Sequence, residues 1–156
     1  MINKDELNYL YKYALALCHD EVKAYDLVQE GLTRYIKSGK NIIPPTPYIK
    51  RIIRNYYIDQ FRVSSKFVHD EFDEEVISID QNFELNIDSK IELESLLQAC
   101  SDDEREILFL WGYDGLSFSE ISTELDIPRG SVLSKFHRLK KRITKMYSEQ
   151  EVSNES

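Results

Sequence analysis

The side chains best suited to do chemistry in this chain are cations gathered late in the sequence. Arg129, Lys135, Arg138, Lys140, Lys141, Arg142 and Lys145 fall in residues 127–147, which hold no acid and carry a net charge of +7. Such groups neutralise phosphates, and Arg and Lys also donate to base edges. A second set, Arg51, Arg54, Asn55, Asp59, Arg62 and Lys66, is interleaved with Tyr48, Tyr56, Tyr57 and Phe61. Cations beside aromatic rings suit single-stranded or melted nucleic acid, because every base has a face to stack. The same rings serve equally well as core, and residue type alone does not decide. A third set, Asp26, Gln29 and Glu30, is polar and spaced for one helix face. Material for catalysis is missing: there is no Gly-rich phosphate loop, no nucleophile–base pairing and no His/Cys cluster at ligand spacing. Cys18 and His19 are adjacent but have no further ligand near them, so they read as helix-packing and helix-end residues, as does Cys100. The expectation is a protein that is no enzyme and uses no metal or cofactor.

The elements that must position these groups are helices. Ser117 and Glu120 have the S-x-x-E spacing of a capping box, so a helix should begin at Phe118 and bury Phe118, Ile121 and Leu125. Asp126 and Ile127 make a turn, and Pro128 suits a first helical position. The next helix has an apolar stripe of Val132, Phe136, Leu139 and Ile143, opposite a face of Arg129, Ser131, Ser134, Lys135, His137, Arg138 and Lys141. Two helices, a tight turn and a cationic second helix are the outline of a helix-turn-helix, whose second helix enters the DNA major groove. The N-terminal part reads as three helices. Asn3 and Glu6 cap the first, whose apolar face is Leu7, Leu10, Tyr11, Ala14, Leu17 and Cys18. Asp20 caps the second, which runs to about Lys37 with Val22, Tyr25, Leu32 and Ile36 inside or at its edge. After the loop SGKNIIPPTP, Thr46 and Pro47 start the third, reaching about Val63; it buries some of Ile49, Ile52, Ile53 and Ile58 and exposes Lys50, Arg51, Arg54, Asn55, Asp59 and Arg62.

Composition agrees with an all-α chain, and its length with one medium domain or two small helical domains. The 156 residues are 42% hydrophobic and 31% charged, with five Gly and four Pro. No apolar run approaches the ~18 residues of a membrane span, and the N-terminus is amphipathic and contains acids, unlike a signal peptide. With two isolated cysteines, a cytoplasmic location and no membrane insertion are expected. The formal net charge is -8, yet residues 31–66 carry +7 while residues 67–94 carry -9 and residues 95–126 carry -7. Two basic modules with an acidic connector between them point to two nucleic-acid contacts, or to one such contact and one partner.

Two of these segments resemble one known family. AYDLVQEGLTRYI, residues 24–36, resembles the D-A-E-D-L-V-Q-E-x-F signature of sigma factor region 2, and YIKRIIRNYYIDQFR, residues 48–62, follows the pattern W-L-x-R-I-A-x-N-x-x-x-D-x-x-R. LSFSEISTELDIPRGSVLSKFHRLKKRI resembles region 4, and SDDEREILFL resembles the helix that precedes it. Nothing like region 3 lies between them, which is the arrangement of extracytoplasmic-function (ECF) sigma factors. The resemblance implies a region 2 domain at residues 1–66, an acidic linker at 67–91 and a region 4 helix-turn-helix at 92–147; the short polar tail at 148–156 reads as disordered. It implies a dissociable subunit of bacterial core RNA polymerase that directs promoter-specific initiation. Asp26, Gln29 and Glu30 would meet the coiled coil of the β′ clamp, and region 4 would meet the β flap. Arg51, Arg54, Asn55, Asp59, Arg62 and Lys66 would lie at the −10 element, with Asp59 either touching DNA or orienting an arginine. Arg129, Ser131, Leu133, Ser134, Lys135, His137, Arg138 and Lys141 would grip the −35 element. The linker would run through the polymerase cleft, where its acidity suits a channel built for nucleic acid; its composition alone reads as a flexible tether. An anti-sigma factor is a further implied partner.

Departures from the family pattern fall at identifiable places. Tyr48 stands for the usual Trp, and Tyr35-Ile36 for Ala-Trp, both read as core exchanges. Leu133 stands where Lys or Arg is common, and Lys135 where Arg is; Lys cannot make the bidentate contact to guanine. Leu133 is then expected to touch thymine methyls. The competing readings are a dimeric helix-turn-helix regulator that needs no polymerase and a sigma-like adaptor that occupies core enzyme without starting transcription.

Overall fold

The computed structural model describes the backbone of residues 2–61 and 90–154 and the side chains of residues 2–61 and 94–146. Among the described residues all regular structure is helical, and the chain divides into two compact units, Met1–Val68 and His69–Ser156. Arg62, Lys66 and almost all of the acidic connector lie outside the described residues.

The first unit packs α1 (Lys4–Cys18), α2 (Glu21–Ser38) and α3 (Thr46–Phe61) each against the other two. Local chemistry sets the boundaries. Asn3 Oδ1 accepts from the Glu6 N–H at 2.8 Å and Asp20 Oδ1 from the Lys23 N–H at 3.0 Å, satisfying donors that the first turns leave over. Gly39, at φ 67°, ends α2 in the left-handed region that glycine enters without strain. The core is Leu10, Tyr13, Ala14 and Leu17 from α1, Ala24, Leu27, Val28 and Gly31 from α2, and Ile49, Ile53 and Tyr57 from α3. The α2–α3 approach is close: a Cβ on Gly31 would lie 2.5 Å from Ile53 Cγ1. The Tyr35 hydroxyl accepts from the Ile42 N–H at 3.2 Å and so ties the loop after α2 to that helix.

Three expectations for this unit are corrected. Val22, Tyr25 and Ile36 are 71%, 60% and 74% exposed, because α2 turns the face of Ala24, Leu27, Val28 and Gly31 inward and leaves these three on the far side. Ile36 is therefore no core exchange. Lys50 is 8% exposed: its stem is buried, and its ammonium sits 4.8 Å from the Tyr13 ring centroid and 5.7 Å from that of Tyr9. Tyr13 takes the inward position on α1, whereas Leu7 is 38% exposed.

The second unit holds α4 (Lys90–Ala99), α5 (Asp102–Gly112), α6 (Phe118–Leu125) and α7 (Arg129–Asn154). Both α5 and α6 begin with a complete capping box, Ser101 with Glu104 and Ser117 with Glu120. Asp126, at φ 54°, ends α6; the Ile127 N–H then returns to the Ser122 carbonyl, and the Ser122 hydroxyl donates to the Ile127 carbonyl at 2.7 Å. Pro128 directly precedes α7, and its carbonyl accepts from Ser131 and Val132. The stripe Val132, Phe136, Leu139 and Ile143 is buried, as are Ile107 and Leu110 of α5 and Ile121 and Leu125 of α6, the helices packed on α7, while Leu96 and Cys100 extend the core beside Leu139 and Ile143. The Phe136 ring meets Phe118 at 4.9 Å and Trp111 at 5.0 Å. Contrary to the expected disordered tail, α7 runs on to Asn154, since SEQEVSN contains neither Gly nor Pro to stop it and is rich in residues a helix accepts. No helix among the described residues is long and apolar enough to cross a membrane.

Candidate nucleic-acid and partner interfaces

The α7 sequence fixes which groups can meet a ligand. At about 100° per residue, Gly130, Ser131, Ser134, Arg138, Lys141 and Lys145 share one arc opposite the buried stripe. Arg138 and Lys141 are exposed, and Arg138 Nη2 donates to Ser134 Oγ at 2.9 Å, so serine and guanidinium form one polar unit in the middle of the arc. Arg129 is exposed at the start of the helix, and His137 lies half-buried on the flank of the arc. The Asp126 cap and the short turn aim this arc away from the core, with small residues at its leading end. That combination can lie in a major groove and hold phosphates on either side.

Two expected members of the set are placed elsewhere. Leu133 is 9% exposed and packs with the core, because it falls on the side of α7 continuous with Phe136; it is unavailable to thymine methyls. Lys135 sits at the opposite rim, where its Nζ donates to Asp103 Oδ2 at 3.0 Å. Arg142, on the same rim, donates to Glu104 Oε2 at 2.8 Å and to the Ala99 carbonyl at 2.9 Å. Arg105 is buried on α5, ion-paired with Asp102 and donating to the Cys100 carbonyl at 2.7 Å. Burial first, and the Glu104 carboxylate second, push the Cys100 thiol up to about 11, so this cysteine is a packing group and no nucleophile.

In the first unit, Arg51, Asn55 and Asp59 recur at i, i+4 and i+8 on one exposed face of α3, and Arg54 is half-buried beside it. The aromatics divide. Tyr57 is core, and Tyr48 packs edge-on to Tyr35 at 5.9 Å. The Tyr56 ring is covered by the Arg34 guanidinium at 4.6 Å, whereas Phe61 is exposed, stacked on Tyr57 at 5.4 Å and flanked by the Lys23 ammonium.

Asp26 and Gln29 are exposed on α2, and winding the helix puts Val22, Tyr25, Thr33 and Ile36 on the same stripe. Glu30 turns aside and pairs with Arg34 at 2.9 Å. The exposed apolar residues of this stripe were missed by sequence reasoning. The available signal was that α2 carries more large apolar residues than one buried face needs, with Val22, Tyr25 and Ile36 at helical spacing from Asp26 and Gln29 rather than from Ala24 and Gly31. An exposed apolar stripe of this length marks a protein-docking face more than a solvated one.

Comparison with known proteins gives this arrangement a family. Residues 4–67 match the Sigma-70 region 2 model, and residues 90–143 match the Sigma-70 region 4 model. The chain is 29% identical over 138 residues to the ECF RNA polymerase sigma factor SigE of Mycolicibacterium smegmatis, covering 83% of this chain and 53% of that protein. It is 29% identical over 137 residues to SigL, an ECF RNA polymerase sigma factor of Mycobacterium tuberculosis, covering 82% of this chain and 76% of the relative. It thus spans about half the length of the first and three quarters of the second. The fold is similar to that of the sigma factor RpoE from Bartonella quintana, solved with the anti-sigma factor NepR: TM-score 0.61, 23% identity, 92% of each chain covered. With region 2 and region 4 in that order on one chain, this protein belongs to the sigma-70 family of RNA polymerase sigma factors, of the ECF type.

Proposed function

We propose that this chain is a promoter-specificity subunit of bacterial RNA polymerase acting in the cytoplasm, with residues 1–66 and 92–147 as its two working domains. One observation carries the reading: the same chain pairs an outward cationic arc on the second helix of a helix-turn-helix with an exposed apolar stripe on α2 that includes Asp26. A regulator that works alone has use for the first and none for the second. In this reading Val22, Tyr25, Asp26, Gln29 and Ile36 dock on the clamp of core polymerase, with Glu30 at the margin. Arg51, Arg54, Asn55 and Asp59, followed by Arg62 and Lys66, handle the −10 strand, with Phe61 a stacking surface. Arg129, Ser131, Ser134, His137, Arg138 and Lys141 grip the −35 duplex. The chain supplies no reacting group; the chemistry of RNA synthesis belongs to the polymerase. An anti-sigma factor would act by covering the α2 stripe or the α7 arc. Reconstitution with core RNA polymerase and a genomic promoter library tests the proposal. Promoter-specific transcripts that require this chain are expected. Binding to core without any transcript would instead mark an adaptor, and a dimer that binds DNA without polymerase would mark a regulator.

A further inference from the structure

The first turn of α5 carries three consecutive acids, and each is paired with a different cation: Asp102 with Arg105, Asp103 with Lys135, and Glu104 with Arg142. Two of those cations belong to α7. Arg142 is anchored by a carboxylate and a backbone carbonyl together, and Glu104 also caps α5, so that pair is part of the framework. Lys135 differs. It lies about one turn from both Ser131 and Arg138, beside the DNA-facing arc, and is 22% exposed. A lysine there would reach a phosphate if its ammonium were not drawn back toward α5.

We propose that Asp103 is a positioning residue that withdraws Lys135 from the phosphate-binding set of α7 and so lowers the grip of this helix on duplex DNA. The inference rests on the reading of α7 as a DNA-binding helix. A partly exposed ion pair holds with only ~0–1 kcal/mol, less than a phosphate contact with counterion release can return. What keeps Lys135 in place is the cost of the alternative. Moving Nζ to a phosphate gives up the attraction of that pair and leaves the Asp103 carboxylate less screened beside a polyanion, where like charges repel. Neutralising Asp103 removes that cost and releases the ammonium. A deliberately reduced grip suits a subunit that must let go of DNA, and it places the control in α5, outside the residues that touch the duplex.

The test uses the full chain and a labelled mixed-sequence duplex, with binding followed by fluorescence anisotropy over a salt series. D103N is expected to steepen the dependence of log K on log salt by about 0.9, one additional phosphate, and to tighten binding about tenfold at low salt. D103E restores the wild-type slope. K135Q keeps the wild-type slope, and D103N/K135Q returns to it. The inference is overturned if K135Q alone flattens the slope by one contact, since Lys135 would then already hold a phosphate. It is overturned equally if D103N steepens the slope just as much without Lys135, since that is a general charge effect, or if D103N changes nothing. R138A separates the two levels: a flatter slope is expected, and a wild-type slope means that duplex binding does not run through α7, so the underlying reading fails. Absence of binding by every variant at about 30 mM salt removes that reading and the inference together.

Discussion

Gly31→Ala is a test of how closely α2 must approach α3. Two effects oppose each other. Alanine in a helix interior is favoured over glycine by about 0.5–1 kcal/mol, through backbone entropy. Against this, the new Cβ would lie 2.5 Å from Ile53 Cγ1 and 3.2 Å from its Cδ1. Ile53 is fully buried and β-branched within a helix, so it has one favoured χ1 and does not swing aside freely. Overpacking of that kind costs about 1–3 kcal/mol, which exceeds the propensity gain. A net loss of about 0.5–2 kcal/mol is expected, equivalent to a two- to thirtyfold rise in opening of the first unit. Because the two units need not unfold together, the measurement is native-state hydrogen exchange at the Leu27, Val28 and Ile53 amides rather than a global melt. Ile53→Ala removes the colliding atoms, so Gly31→Ala in that background should become stabilising by the propensity term. Equal or slower exchange in Gly31→Ala with Ile53 intact would refute the close-approach argument.

Three further outcomes follow from particular contacts. Tyr25→Ala should weaken binding to core RNA polymerase by about 2 kcal/mol, roughly thirtyfold, as loss of an aromatic anchor does, whereas Glu30→Ala, already paired with Arg34, should cost under about 1 kcal/mol; an equilibrium titration with purified core ranks them, and the reverse order removes the α2 stripe as the docking face. Cys100 should alkylate far more slowly than Cys18 at about pH 8, because its thiol is held neutral up to about 11. The stability gained from that neutral buried thiol is whole below the ordinary thiol value and is lost as pH rises from there toward 11; equal alkylation rates by mass spectrometry would contradict this. Ser117→Ala should destabilise α6 by about 1 kcal/mol. The Glu120 carboxyl is held below its usual range first by the Ser117 N–H and then by the Ser117 side chain. Its contribution is present above the ordinary carboxylate value and fades as pH falls through the lowered one, so NMR titration should show Glu120 moving up toward the ordinary range in Ser117→Ala.

What could be read from the chain divides along a physical line. Helix starts were legible because caps are local: Asn3, Asp20 and Ser117 each bond a backbone N–H three residues on, and the spacing is written in the sequence. The buried stripe of α7 was legible for the same reason, since Val132, Phe136, Leu139 and Ile143 are the only way to face that helix inward without burying a cation. The orientation of α2 was not. Its sequence holds two apolar stripes, and the face turned inward is the one on which Gly31 allows close approach to Ile53, a tertiary contact that no periodicity records. Lys50 was misplaced for a related reason. A lysine in a helix is read as exposed, but the rings of Tyr9 and Tyr13 come from another helix and supply both cover for its stem and an electrostatic partner for its head.

The same distinction governs the candidate site. A segment charge of +7 for residues 127–147 describes the sequence correctly and overstates what DNA would meet, because ion pairs form between helices. The acids that offset Lys135 and Arg142 belong to residues 95–126, the segment of net charge -7, and lie more than thirty positions away in the chain. The two segments are therefore partly one neutralised framework, with the surplus positive charge left to the remaining cations, among them Arg138, Lys141 and Lys145 on the outer arc. Glu30 and Arg34 show the effect in miniature on α2: a carboxylate counted toward a docking face is spent within its own helix, and the guanidinium that takes it also covers Tyr56. In each case the group that remains for a partner is one whose local neighbours leave it exposed, as Asp26 and Lys141 are, so the exposed remainder defines the interface more narrowly than residue type does. Two acids of α5, Asp103 and Glu104, pair with the cations at the rim of α7, while Arg138 and Lys141 stay exposed near the centre of its outer arc.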